Sequence, residues 1–310
     1  MPKRNDATYV YDIQPFKKIF PYLMPRKCDS LVYLNCDLDL SETLLFIKNN
    51  PSPTLNRKYR VFEIMIAALI RLFVLRPELN RFLMNKKLWQ RNDISLNFVV
   101  KRDYSDDSPE HSVILKFDPN MTLDEIANYV DKKIEETRSI TDDDNNNKAD
   151  KLIDFFTSFP PFITSFFVSI IKFLDIKGIA PLSITEEDGL HCSAYLSNLG
   201  SIGLRNGKVQ HHLYQWGTTS IFMTIGSLKR KRIISEEGLV RRENKLEVGF
   251  TIDERISDGY YFIKSLNILQ DLINKPDQLL TPSKKSYSKP PKNKKEYKLM
   301  NKAKKQEEKS

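Results

Sequence analysis

Toward the end of this chain, Leu246 to Asp253 reads as a strand, Glu254-Arg255-Ile256-Ser257-Asp258 as a charged turn, and Gly259 to Ile273 as a helix packing Tyr261, Phe262, Leu266, Leu269 and Leu272. Within a few charged residues the pattern changes from that of a strand to that of a helix. The same alternation runs through the rest of the sequence. Residues 31–40 read as a strand. Tyr59 to Leu75 sets Phe62, Met65, Ile66, Leu69, Ile70 and Phe73 on one helical face, and Arg76-Pro77-Glu78-Leu79-Asn80 ends that helix, because a residue before proline disfavours the α conformation. Ile94 to Val100 and Ser112 to Phe117 read as strands joined by an acidic turn. Thr122-Leu123-Asp124-Glu125 is a capping box that opens a helix running to about Arg138. Thr141 to Asn147 reads as an exposed loop inserted within one domain, and His191 to Asn198 and Thr218 to Ser227 as two further strands.

At 310 residues and 40% apolar content the chain is long enough to bury a substantial core. Its net charge of +9 is concentrated at one end. Eleven lysines and three glutamates between Thr281 and Ser310 give that tail +8, which leaves +1 for the rest. A near-neutral body argues against a nucleic-acid-binding surface, and only the tail offers weak contact with RNA or an anionic surface. Almost free of apolar residues, the tail is expected to be a disordered, solvated extension of residues 281–310.

Cys28, Cys36 and Cys192 are odd in number and far apart, which fits neither a disulfide framework nor a zinc site and suits a reducing cytoplasm. None of His111, His191, His211 and His212 has an acidic partner at metal-ligand spacing, so no metal is expected. No apolar core of the secretory type follows the N-terminus. Phe155 to Leu174 is interrupted by Pro160-Pro161 and Lys172, leaving only Phe162 to Ile171 uninterrupted. That is too short to span a bilayer and is expected as a buried or interface helix, or as one lying on a membrane surface.

Three blocks carry a family resemblance that extends from about Pro15 to Pro276. Arg76 to Asn80 after an apolar helix is similar to a Pro-Glu-Leu-Asn helix end. Leu196-Ser197-Asn198-Leu199-Gly200-Ser201-Ile202-Gly203 is similar to an Ile-Ser-Asn-Leu-Gly segment, followed by a strand, Thr218 to Gly226, that matches in pattern. Asp253 to Gly259 resembles a His-x-x-x-Asp-Gly signature before a closing helix. Together they resemble the chloramphenicol acetyltransferase and dihydrolipoyl acyltransferase superfamily. The resemblance implies an α/β fold, a two-layer sandwich with a mixed β-sheet, over residues 1–280. It implies a homotrimer whose active sites lie between neighbouring subunits, with coenzyme A entering from one side and a small-molecule acyl acceptor from the other. It also implies that Ser197 donates to the tetrahedral oxyanion, that Asp258 pairs with an arginine to shape the turn, and that Gly259 lets the backbone bend where a side chain would not fit. The chain departs from the family in carrying no lipoyl domain or peripheral-subunit-binding segment, and in placing Glu254 where the signature has its catalytic histidine.

Acyl transfer involving a thiol needs a base to form the thiolate. A solvated glutamate, with a pKa near about 4.3, is roughly two units weaker as a base than imidazole. An apolar pocket formed by Phe250, Ile252 and Ile256, or the charges of Asp253 and Asp258, would raise it. His211 and His212, between the Ser197 segment and the next strand, are alternative bases. Three readings follow. The first is transfer of an acyl group between coenzyme A and a small acceptor with Glu254 as base. The second is a catalytically inactive homologue that binds coenzyme A or an acyl group. The third is a module that binds RNA or an acidic surface through the tail.

Overall fold

The computed structural model describes residues 4–101, 110–139, 158–181, 189–204, 208–234, 238–291 and 293–307. The loop expected at Thr141 to Asn147 lies outside the described residues. The strands are β1 (Ala7–Tyr9), β2 (Leu31–Asp39), β3 (Arg81–Met84), β4 (Lys87–Arg91), β5 (Ile94–Lys101), β6 (Glu110–Phe117), β7 (Ala194–Asn198), β8 (Ile221–Ile234) and β9 (Val240–Asp253). The helices are α1 (Phe20–Leu23), α2 (Ser41–Asn49), α3 (Val61–Leu75), α4 (Leu123–Ser139), α5 (Pro161–Lys177), α6 (Gly259–Asn274) and α7 (Lys294–Glu307).

Six strands form one mixed sheet in the order β2-β9-β8-β7-β5-β6, with β7 parallel to both its neighbours and the other pairs antiparallel. Helices α3, α4 and α6 cover one face, giving the expected two-layer α/β sandwich. The alternation of the strands decides which residues meet those helices. Leu246, Val248, Phe250 and Ile252 of β9, Met223 and Ile225 of β8, Leu196 of β7, and Leu96 and Phe98 of β5 are all buried in the main core. Helix α3 is buried nearly all round from Ile64 to Val74, as its almost continuous apolar sequence requires. The capping box at α4 is formed: the Thr122 backbone N–H donates to Glu125 Oε2 at 2.8 Å.

Three departures from the sequence reading have physical causes. A second sheet, β1-β4-β3, packs around Ala7, Phe82 and Trp89 from strands too short to register as periodic. Beyond a register shift between Ile225 and Leu228, β8 and β9 continue as a hairpin arm to Ile234 and from Val240. Its cationic run is matched by acids on neighbouring strands: Lys231 Nζ lies 2.7 Å from Asp37, and Lys229 Nζ 2.7 Å from Glu247. The lysine-rich tail, read from composition as a solvated extension, has an anchored stretch. The buried Arg71 guanidinium donates to the Thr281 carbonyl, and the Tyr287 hydroxyl accepts from Asn80 Nδ2 and Gln90 Nε2, both at 2.8 Å, while donating to the Arg91 carbonyl.

Candidate active site

The turn that follows β9 is braced on every side but one. The Asp253 carboxylate is buried and accepts from Arg255 Nε at 2.8 Å and Nη2 at 2.7 Å, a two-pronged pair that Ser30 Oγ completes at 2.9 Å. Arg255 Nη1 also donates to the Met24 carbonyl. Ser257 Oγ donates to Glu78 at 3.0 Å, while the Arg76 guanidinium lies 3.4 Å over the Tyr261 ring and donates to Ser265 Oγ and the Tyr261 carbonyl. Two sequence blocks far apart in the chain, Arg76 to Asn80 and Asp253 to Gly259, are therefore one structural unit in which the end of α3 holds the start of α6.

Within this unit Glu254 stands apart. It is half-buried, and its carboxylate makes no hydrogen bond or ion pair among the described residues. Arg255, its neighbour in sequence, is committed to Asp253. The two carboxylates that flank Glu254 in sequence are both neutralised by cations, and Phe250, Ile252 and Ile256 belong to the main core. Among the described residues Asp258 does not pair with an arginine. It binds Lys17 Nζ at 3.0 Å and caps α6 by accepting from the Tyr261 N–H at 2.8 Å, interactions that hold its carboxyl below the usual carboxylate range. Nor is Gly259 required by crowding, since a Cβ placed there meets nothing within 4 Å.

At the other end of the sheet Ser197 lies on the face of β7 opposite the core. The pairing of β5 with β7 stops at Phe98 and Leu196, and where the strands part a cavity of about 590 Å³ opens, lined by Phe62, Val99, Tyr195, Ser197, His211 and Phe222 among others. Such a volume suits a small-molecule site. The Ser197 hydroxyl makes no hydrogen bond among the described residues. The following turn is fixed by Gly200, whose hydrogen faces the Gly226 carbonyl so closely that a Cβ would sit 2.1 Å from the oxygen. His211 stacks on Phe222 at 4.2 Å, and Phe222 on Tyr195 at 4.7 Å. The carbonyl of His212 has no proton to give, so His211 Nδ1–H donates to it at 2.7 Å, leaving Nε2 of the neutral ring as the acceptor. His212 is exposed and does not line the cavity.

The two candidate groups are far apart within one chain. Ser197 pairs with Thr224 on β8, which pairs with Gly249 on β9, and Glu254 lies farther along the same strand direction. Five residues at about 3.3 Å each and two strand spacings of about 4.8 Å put their Cα atoms on the order of 20 Å apart.

A buried polar cluster escaped the sequence reading. Asp175, the one acid of α5, is fully buried and binds Arg4 Nη2 at 2.8 Å, His191 Nε2 at 3.1 Å and Trp216 Nε1 at 3.1 Å. Burial pushes its carboxyl up, but the hydrogen bond and charge of His191, then those of Arg4, outweigh this and hold it at about 2. Lys27 is buried with its ammonium on the Gly217 and Thr219 carbonyls at 2.9 and 3.1 Å, and burial pushes it down to about 8. No spacing rule links residues 4, 27, 175, 191 and 216. The one available signal was a lone carboxylate near the end of an apolar helix. Among the described residues no group of three metal-ligating side chains converges.

With sheet order and site geometry established, comparison with solved structures identifies the fold, which is that of dihydrolipoamide acetyltransferases and chloramphenicol acetyltransferase. It is similar to the probable dihydrolipoamide acetyltransferase of Listeria monocytogenes 4b F2365, with a TM-score of 0.55 over 89% of this chain and 97% of that one at 11% identity. The dihydrolipoamide acetyltransferase of Azotobacter vinelandii, in whose catalytic mechanism a serine, a histidine and an asparagine have been investigated, gives 0.56 over 87% and 93% at 14% identity. A chloramphenicol acetyltransferase gives 0.50 over 86% and 99% at 11% identity. No family model and no curated protein sequence matches the chain.

Proposed function

We propose that this protein is a coenzyme A-dependent acyltransferase acting on a small acceptor, assembled as a homotrimer. The observation that carries this reading is the Ser197 hydroxyl, unbonded and facing a cavity of about 590 Å³, in a fold shared with acetyltransferases. In the proposed reaction a base removes the proton of the acceptor hydroxyl or thiol, which attacks the thioester carbonyl. The Ser197 hydroxyl donates to the resulting oxyanion, and collapse of the intermediate expels coenzyme A as a thiolate that takes the proton back from the base. Glu254, a half-buried and unpaired carboxylate, is the proposed base. Separation on the order of 20 Å from Ser197 means that the two groups meet only if copies of the chain associate, Glu254 of one completing the cavity of the next. A specific observation favours a second assignment: His211 shares the cavity with Ser197 in the same chain and presents Nε2 as acceptor.

Release of free thiol from acetyl- and longer acyl-coenzyme A over a panel of acceptors tests the proposal. Removing an oxyanion donor costs about 2.7–4 kcal/mol, so Ser197→Ala is expected to slow turnover by about 10²–10³-fold. Glu254→Gln abolishes activity if the carboxylate is the base, whereas His211→Gln does so if the imidazole is. A more active Glu254→His variant would show the rest of the machinery intact. If wild type and variants are equally silent while calorimetry shows coenzyme A binding, the protein is a ligand-binding homologue without catalysis.

A further inference from the structure

One strongly apolar helix, α5, is not buried. In α5 the side of Ile163, Phe167, Ile171, Leu174 and Asp175 turns toward the body, and Asp175 fastens it there through Arg4, His191 and Trp216. The opposite side carries Phe162, Phe166, Ile170, Phe173 and Ile176 at intervals of three and four residues, one stripe along a helix about 25 Å long. Phe162, Phe166 and Phe173 are 74%, 62% and 56% exposed. Of the expected placements, burial within the chain does not hold, which leaves an interface or a membrane surface. Lys172 and Lys177 flank the stripe, their ammonium groups set over the Trp216 and Phe173 rings.

The N-terminal segment that grips α5 also grips the basic tail. Arg4 holds Asp175, and a few residues on, Tyr11 stacks on Tyr297 with ring centroids 5.8 Å apart while the Tyr297 hydroxyl donates to Asp12. Seven residues of chain reach at most about 25 Å, which bounds the separation of the backbone points that hold α5 and α7. Helix α7 has six lysines and two glutamates in its sequence, and Lys294, Lys295, Lys298 and Lys302 are exposed beside Leu299 and Met300.

We propose that α5 and α7 form a peripheral membrane-binding face for anionic phospholipid, α5 lying in the interfacial plane with its phenylalanines in the acyl region and α7 supplying the cationic contact. Charge selects this occupant. Surfaces that pair protein with protein are depleted in lysine, whereas an apolar stripe flanked by lysines and backed by a polybasic helix matches an anionic headgroup layer. Among the described residues no helix is long and apolar enough to cross a membrane, which leaves the in-plane orientation.

The test is sedimentation of the full chain with vesicles of phosphatidylcholine alone and of phosphatidylcholine with phosphatidylserine in equal parts. Binding is expected to be at least about tenfold tighter to the anionic vesicles and to weaken with salt. F166S/F173S and K294Q/K295Q/K298Q, all exposed positions, are each expected to lose about tenfold or more of that binding with an unchanged circular dichroism spectrum. Failure of the wild type to bind anionic vesicles at low salt overturns the proposal, as does binding that F166S/F173S leaves intact. A fall in the solution mass of F166S/F173S would assign the stripe to a second copy of the chain and overturn it likewise.

Discussion

The turn after β9 and the cleft after β7 lie at opposite ends of strands separated by β8, and they are built on opposite principles. At the turn, Asp253, Arg255, Ser257 and Asp258 have partners, and Glu254 has none among the described residues. At the cleft, the backbone is pinned by the contact of Gly200 with Gly226 while the Ser197 hydroxyl lines open volume. Most of the charged signature before α6 is thus scaffolding that the fold needs whether or not the chain has catalytic activity. The proposed chemistry rests on two groups that the scaffold leaves free among the described residues, Glu254 and Ser197.

The largest effect should come from breaking the turn. Arg255→Met strands the Asp253 carboxylate in a site that excludes water. Loss of one partner of a buried pair costs about 3–5 kcal/mol, so denaturant melts should show a drop of that size. A loss below about 1 kcal/mol would mean that the turn is not the scaffold described above.

Lys27, near the same end of the sheet, sharpens the comparison through pH. Its ammonium is held at about 8 by burial, against an ordinary lysine value of 10.5. Between these values the unfolded chain binds the proton and the folded chain does not. Stability contributed at this site therefore rises as pH climbs from about 8 to 10.5, by about 3 kcal/mol at most, and below pH 8 the full cost of burying the charge is present. Other groups titrate in the same window, so the measurement is a difference: Lys27→Met should lose this part of the rise in melts taken across it.

How far the sequence disclosed these features depended on whether the governing contacts were local. Strands β2, β5 and β6, helix α3 and the α4 capping box were legible because periodicity and capping act within a few residues. The three motif blocks pointed to the fold, and the contacts of Arg76 with Tyr261 and Glu78 with Ser257 explain why two of them accompany each other. What stayed hidden was long-range. The Asp175 cluster joins residues from five separate segments, and the anchoring of Tyr287 depends on Asn80 and Gln90. The role of Gly259 was misread because an Asp-Gly turn suggests a steric need, whereas the space beside it is open.

Two motif glycines allow a finer separation. Gly200→Ala forces a methyl against the Gly226 carbonyl, and relief requires shifting the backbone of β8, so a loss of about 1–3 kcal/mol is expected. Gly259→Ala adds a methyl in open space at the first position of α6, where the unfolded chain loses freedom and the helix gains propensity. It should be neutral or stabilising by up to about 1 kcal/mol. The reverse order in thermal melts would show that crowding governs the turn and not the cleft.

The smallest expected change in stability belongs to Ser197. Its hydroxyl has no protein partner among the described residues and faces the cavity, so Ser197→Ala strands no buried donor or acceptor and leaves the β7 backbone ladder untouched. Stability should shift by less than about 0.5 kcal/mol, the range of substitutions away from packing and networks. That small number gives the variant its value. A serine that satisfied the turn would register in a melt, whereas one held for a ligand registers only when ligand is present. Melting wild type and Ser197→Ala with and without acyl-coenzyme A therefore separates the two roles: a structural serine shifts both pairs of curves equally, and a functional one shifts only the liganded pair.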